Sequence, residues 1–269
     1  MKKILTITIV CFLAVNAYSQ ELFLYTEPAS NMATNNLGIR FATSAMNTTN
    51  NTGTNIHLTP ELMYGITNKI MLHVAAFQSN RNGCLVGEGG SIYAKYKFLN
   101  KDDVQRHFRM ATFGRYSLNN ADIHQEEINL FGHNTGYELG VVATQLLHKV
   151  AISTSVSYFG ASNNGSKNKY PSIQSNAGSN YTLSFGKLML PKKYKDYKQV
   201  NLNIMCEFLG QALTQNGKSY LDVAPSIQLI FNSKIRVDLG YKQELYSTML
   251  RTAPSGFLFR FEYNFFNTF

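Results

Sequence analysis

Tryptophan is missing altogether from these 269 residues, and charge is scarce, with only 15% of the chain Asp, Glu, Lys or Arg. An ordinary soluble domain carries about a quarter. Cysteine is scarce too: Cys11, Cys84 and Cys206 cannot staple a small disulfide fold and allow one optional bridge at most. Long apolar runs are also lacking. The longest, Ile4–Val15, falls short of the roughly twenty residues a spanning helix needs, which excludes a helical inner-membrane protein. That run follows Lys2 and Lys3 and precedes the small residues Ala17 and Ser19, so residues 1–19 read as a cleaved secretory signal peptide ending before Gln20. Cys11 lies inside it behind Val10, an unsuitable residue for lipoprotein processing. Two of the cations behind the net charge of +9 leave with the leader, and the rest are spread along the chain. A nucleic-acid-binding face needs them clustered, so no nucleic acid is expected as partner.

What the chain has is aromatic residues, 16 Tyr and 18 Phe, in strict alternation with polar ones. From Phe257 the odd positions read Phe257, Phe259, Phe261, Tyr263, Phe265 and Phe269, and the even ones include Arg260, Glu262, Asn264 and Thr268. Successive side chains of a strand point to opposite faces, so one face is a wall of rings and the other is polar. The pattern recurs upstream. Leu221, Val223, Ile227, Leu229 and Phe231 oppose Asp222, Ala224, Ser226 and Gln228, and Ile235, Val237, Leu239 and Tyr241 oppose Arg236, Asp238 and Lys242. Val200, Leu202, Ile204, Cys206 and Phe208 oppose Asn201, Asn203 and Glu207. The period predicts strands near 37–46, 54–65, 70–79, 88–98, 108–118, 134–146, 149–160, 179–190, 199–212, 219–231, 235–246 and 256–269.

A closed sheet satisfies every backbone group inside a bilayer without leaving an edge. The expected fold is therefore all-β, a single antiparallel up-and-down transmembrane β-barrel of about 12 strands over 37–269. Residues 20–36 form a periplasmic N-terminal segment or a plug for the lumen. The inward set comprises Arg40, Glu61, Lys95, Lys97, Arg109, Arg115, Glu138, Glu207, Asp222, Arg236, Asp238, Arg260 and Glu262. Buried unpaired, such charges would be ruinous; lining water, or paired across a lumen, they are tolerated. Connections alternate short and long, which predicts short periplasmic turns, long outer loops, and both termini in the periplasm of a Gram-negative cell. Pro60 and Pro225 sit inside predicted strands and each removes a ladder hydrogen bond, so a bulge or irregular stretch is expected at both.

The segments Leu24–Met32 (LYTEPASNM), Leu58–Asn68 (LTPELMYGITN), Tyr93–Gly114 with its KYKF and HFRMATFG pieces, Val141–Tyr158, and Val223–Tyr241 with VAPSIQ and IFNS resemble the small outer-membrane barrels of Bacteroidota, described as transporters. The resemblance implies a barrel in the outer membrane; the family has no settled substrate or catalytic residues to carry over. Ending on Phe269 looks like the terminal signal read by the barrel-assembly machinery.

Among signals that could carry chemistry, His133 and Thr135 share a strand face that parity directs toward lipid. They are similar to the His-x-Ser arrangement of outer-membrane phospholipases, although Thr replaces Ser and no third group orients the base. Asp122, His124, Glu126 and Glu127 crowd an outer loop that could hold a divalent cation bridging lipopolysaccharide, although their spacing fits no calcium loop. Pro191–Lys198 (PKKYKDYK) reads as anchoring to lipid headgroups, and Gly87, Gly89 and Gly90 lack the following helix of a phosphate loop. No cofactor is expected. The leading expectation is a passive channel or transporter for small solutes with a narrow, charged lumen. The alternatives are a lipid-modifying enzyme using His133 and Thr135, and a non-conducting structural or adhesion barrel.

Overall fold

The alternation is realised as a closed sheet in the computed structural model, which describes residues 23–48, 53–80, 83–104, 106–191 and 199–267. The strands are β1 (Leu37–Asn47), β2 (Thr54–Gly65), β3 (Ile70–Ser79), β4 (Val86–Asp103), β5 (Arg106–Asn119), β6 (Thr135–Leu147), β7 (Val150–Ser162), β8 (Ala177–Leu190), β9 (Asn201–Leu213), β10 (Ser219–Phe231), β11 (Ile235–Ser247) and β12 (Ser255–Phe265). Each pairs antiparallel with the next, and β1 pairs with β12, from Leu37 opposite Phe265 to Asn47 opposite Ser255, which closes the barrel. No edge is left unpaired.

One outward residue from each strand, in order Phe41, Leu62, Val74, Ile92, Tyr116, Leu139, Val156, Leu183, Ile204, Ile227, Leu239 and Phe259, is between 41% and 62% exposed. Their inward neighbours, Arg40, Glu61, His73, Asp238 and Arg260 among them, are buried. The molecule is apolar outside and charged inside, the reverse of a soluble protein.

Local chemistry explains the turns and irregularities. Asn232 and Ser233 have φ of 51° and 56°, and Lys234 N–H donates to Phe231 O at 3.0 Å. That is the mirror-image turn whose twist suits a tight hairpin, and Asn tolerates its left-handed backbone. Neither proline shifts the register. On the β2–β3 side the ladder lapses between Leu58 and Glu61 around Pro60, and on the β10–β11 side between Val223 and Ser226 around Pro225. The bulge in β10 falls between Leu221 and Asp222 instead. β4 and β5 run past the expected 88–98 and 108–118 into a projecting hairpin. There Asp102 accepts from His107 at 2.9 Å and from Arg109 at 3.3 Å. Its charged sequence has no apolar face to betray a strand, and backbone pairing carries it outward. Cys84 is exposed, Cys206 is half-buried, and both are free thiols. Residues 1–19, Phe269 and most of Pro191–Lys198 lie outside the described residues.

Candidate functional site

The lumen is built from inward positions whose register brings opposite charges to one level. Arg40 on β1 stands opposite Glu262 on β12 and Glu61 on β2, and donates to them at 3.0 and 2.9 Å. Glu61 in turn meets His73 Nδ1 at 2.8 Å. Glu262 also contacts Arg236, whose Nε lies 3.7 Å from Asp238, and Asp238 accepts from Arg260 at 2.6 Å. Three guanidinium groups and three carboxylates thus form one connected wall network, electrically balanced, with the ionised groups pairing one another in place of water.

Across the bore runs a strap, Phe23–Asn36, fixed from several strands. Glu207 on β9 accepts the backbone N–H groups of Leu24 (2.8 Å), Tyr25 (3.0 Å) and Thr26 (2.8 Å). Arg260 donates to the carbonyls of Phe23 and Leu24 at 2.7 and 3.1 Å. Lys95 donates to Pro28 O at 2.8 Å, Thr144 Oγ1 accepts Ala29 N–H at 2.9 Å, and Arg109 donates to Ser30 Oγ at 2.9 Å. The wall is cut to receive it: a Cβ on Gly240 would stand 2.4 Å from Leu24 Cδ2, and one on Gly65 2.2 Å from Ala33 O. Asn35 N–H donates to Gly65 O at 2.8 Å, so the strap joins β1 at the short-turn rim.

Above the strap lies a chamber of about 360 Å³. Its floor includes Leu24–Glu27 and its roof Gln125, Glu127–Phe131 and His133 from the β5–β6 loop. That loop bends into the barrel mouth. Gln211 on β9 accepts Ile128 N–H at 3.0 Å and donates to Ile128 O at 2.8 Å, and Ile128 and Leu130 pack with Phe159, Leu213, Tyr220 and Met249. Arg251, from the β11–β12 loop, holds Glu127 (2.7 Å) and grips both oxygens of Asp222 (2.7 Å each) over the Tyr220 ring. Burial alone would push the Glu127 carboxyl up; Lys242 and Arg251 facing it bring it down to about 2. Arg115 lies between the Tyr93 and Phe131 rings, 5.1 and 4.6 Å from their centroids, and 3.8 Å from Glu138.

The expected lumen residues fall out as follows. Arg40, Glu61, Lys95, Glu207, Asp222, Arg236, Asp238, Arg260 and Glu262 are buried. Arg115 and Glu138 border the chamber, and Lys97 and Arg109 are half-buried nearer the short-turn rim. His133 and Thr135 do not form a lipid-facing pair. His133 lines the chamber, its ring 4.4 Å from that of His57, and burial, reinforced by His57, holds its imidazole at about 3. Thr135 is buried, its hydroxyl accepting Asn119 N–H at 2.8 Å and donating to Asn119 O at 3.1 Å. Parity misassigned them because the loop folds inward immediately before β6. The phospholipase-like arrangement therefore fails on geometry. Glu126 is occupied by Lys218 at 2.6 Å and by Leu250 N–H at 2.9 Å, while Asp122 and His124 are exposed. Among the described residues no group of three or more such side chains could hold a metal ion.

Sequence reasoning missed Glu27, His73 and Arg251, and set Lys242 on the polar face of its strand without counting it among the lumen residues. His73 follows inward parity between the apolar Leu72 and Val74 and was legible; Glu27 and Arg251 sit in segments without a period.

The sequence matches no protein-family model and no curated protein. Solved structures do resemble the barrel. The KdgM porin superposes with a TM-score of 0.51 at 9% identity, covering 85% of this chain and 99% of that one. An outer membrane channel from Pseudomonas putida F1 gives 0.53 at 11%, covering 94% and 98%. This chain shares their fold. At such identity the likeness reaches no further than architecture.

Proposed function

We propose that the protein is an outer-membrane channel for small solutes, with its short-turn rim toward the periplasm and its bore held closed by the Phe23–Asn36 strap. The carrying observation is the inversion of polarity: an apolar belt contributed by every strand encircles an interior of paired charges and a chamber. Contiguous apolar surface of that extent marks a face buried in something, and a closed barrel is one of the two architectures that can bury it in lipid. The names of the two similar structures, a porin and an outer membrane channel, support the reading. The resemblance of its segments to transporter-like barrels of Bacteroidota supports it as well. On the same reading, lipopolysaccharide and outer-membrane lipids surround the belt.

The test is single-channel recording in planar bilayers with refolded protein. Wild type should show small, infrequent steps, and a variant whose strap has lost its anchor, Glu207→Ala, should show larger and longer ones. Silence from both would overturn the proposal.

A further inference from the structure

Lys95 has an unusual set of partners. Its side chain is wholly buried on β4, and among the described residues its hydrogen bond and its ion pair both go to the strap: Pro28 O at 2.8 Å and a Glu27 carboxylate oxygen at 3.6 Å. The neighbouring wall network, Arg40, Arg236 and Arg260 against Glu61, Asp238 and Glu262, is balanced without it. Lys95 is thus a buried wall cation that the strap neutralises. The other oxygen of the same Glu27 carboxylate accepts from Arg40 Nη1 at 2.9 Å. One carboxylate is therefore seated between a guanidinium and an ammonium group, both on the barrel wall and carried by a segment that is not. A buried ammonium left unpaired is costly, so a bore cleared of the strap must refill this position with water or an anion.

We propose that the Arg40–Lys95 cradle is a binding site for small carboxylate solutes, and that Glu27 occupies it in the closed state as an intramolecular stand-in. Arg40 offers directional donors and Lys95 a point charge, the combination that fixes a carboxylate's plane and its sign. Solute and strap then compete for one position, so a carboxylate that binds the cradle also favours the open bore. The cradle stands on this geometry alone; its part in passage rests on the channel reading above.

Chemical rescue tests it. Glu27→Ala removes one side-chain methylene and the carboxylate, a void matching acetate. In the detergent-solubilised full chain, this variant should melt several degrees below wild type. Acetate should restore the loss in a dose-dependent way, with chloride at equal ionic strength and the neutral isostere acetamide doing little. Wild type, its cradle filled, should not respond, and Glu27→Ala/Lys95→Met should lose the response. Glu27→Ser, which also vacates the cradle, serves if the alanine variant fails to fold, with acetate again expected to raise its melting point. In bilayers, the reversal potential of Glu27→Ala should report anion preference, and Lys95→Glu should shift it toward cations. Rescue by chloride or acetamide equal to that by acetate, or undiminished rescue without Lys95, would overturn the site. Conductance without any acetate response leaves the channel standing and removes the cradle. Acetate rescue with silent bilayers does the opposite.

Discussion

A single carboxylate holding three consecutive backbone amides is a strong local constraint. Glu207 does this for Leu24, Tyr25 and Thr26, with Ser184 Oγ a further donor at 3.3 Å. Truncation to Ala strands three buried donors, each worth about 1–3 kcal/mol when left unmade. The strap's cheapest response is to leave the wall, where water can satisfy them. Glu207→Ala is therefore expected to expose the strap while β9, hydrogen-bonded along both edges, stays in place. Limited proteolysis should cut the variant within the strap at least tenfold faster than wild type. Glu207→Gln, which keeps an acceptor oxygen, should fall between the two. Equal cleavage of all three proteins would show that Glu207 does not anchor the strap. The sequence placed Glu207 inside the barrel by parity, yet its purpose was not legible. Its partners are backbone atoms some 180 residues away, and backbone groups have no sequence signature.

At the scale of elements, the β5–β6 loop behaves as a lid whose attachment is electrostatic at one point and apolar at the next. Glu127 titrates at about 2 and His133 at about 3 in the folded loop, both depressed. A loop released from the mouth returns them to ordinary values near 4.5 and 6.5. Between the paired values the released state binds more protons, so each group favours attachment above its free pKa and loses that contribution as pH falls. Acidification from pH 7 should thus loosen the lid in two stages, His133 acting first below about 6.5 and Glu127 below about 4.5. Hydrogen exchange of 121–134 should accelerate between pH 7 and pH 5 after correction for intrinsic rates. His133→Gln should abolish that first stage and retain the second. A wild-type loop with pH-independent protection would contradict the assignment. Strands and lid differ in how far sequence could read them. The hairpins obey a period of two imposed by their two environments, and each strand was placed within a few residues of its observed bounds, apart from the charged extension of β4 and β5. The lid obeys no period. Its inward course is set by Gln211, Arg251 and the Ile128–Leu130 cluster, all remote in sequence, and that is why His133 was assigned to the wrong side.

For the whole molecule, the decisive matter is which solvent touches the belt. In water, Leu239, 44% exposed on β11, could become Arg at almost no cost, as surface substitutions usually do. In hydrocarbon, the same change introduces a charge worth about 2–4 kcal/mol of destabilisation near the midplane of a barrel, falling toward the interfaces. Inward positions give the opposite contrast. Gln228, fully buried and bonded to Asn203 at 2.8 Å, tolerates polarity because its partner is polar, and Leu there would strand the Asn203 amide. Urea unfolding of the protein refolded into vesicles should therefore show Leu239→Arg destabilised by about 2–4 kcal/mol. Ser233→Arg, in the turn beyond the belt, should stay within about half a kcal/mol of wild type. A neutral Leu239→Arg, with the protein monodisperse in buffer without detergent, would place water against the belt and remove the basis for a channel. The expected result leaves acyl chains as the solvent of the outer face, and with them the need for a lumen in which every charge is answered by the wall, the lid or the strap.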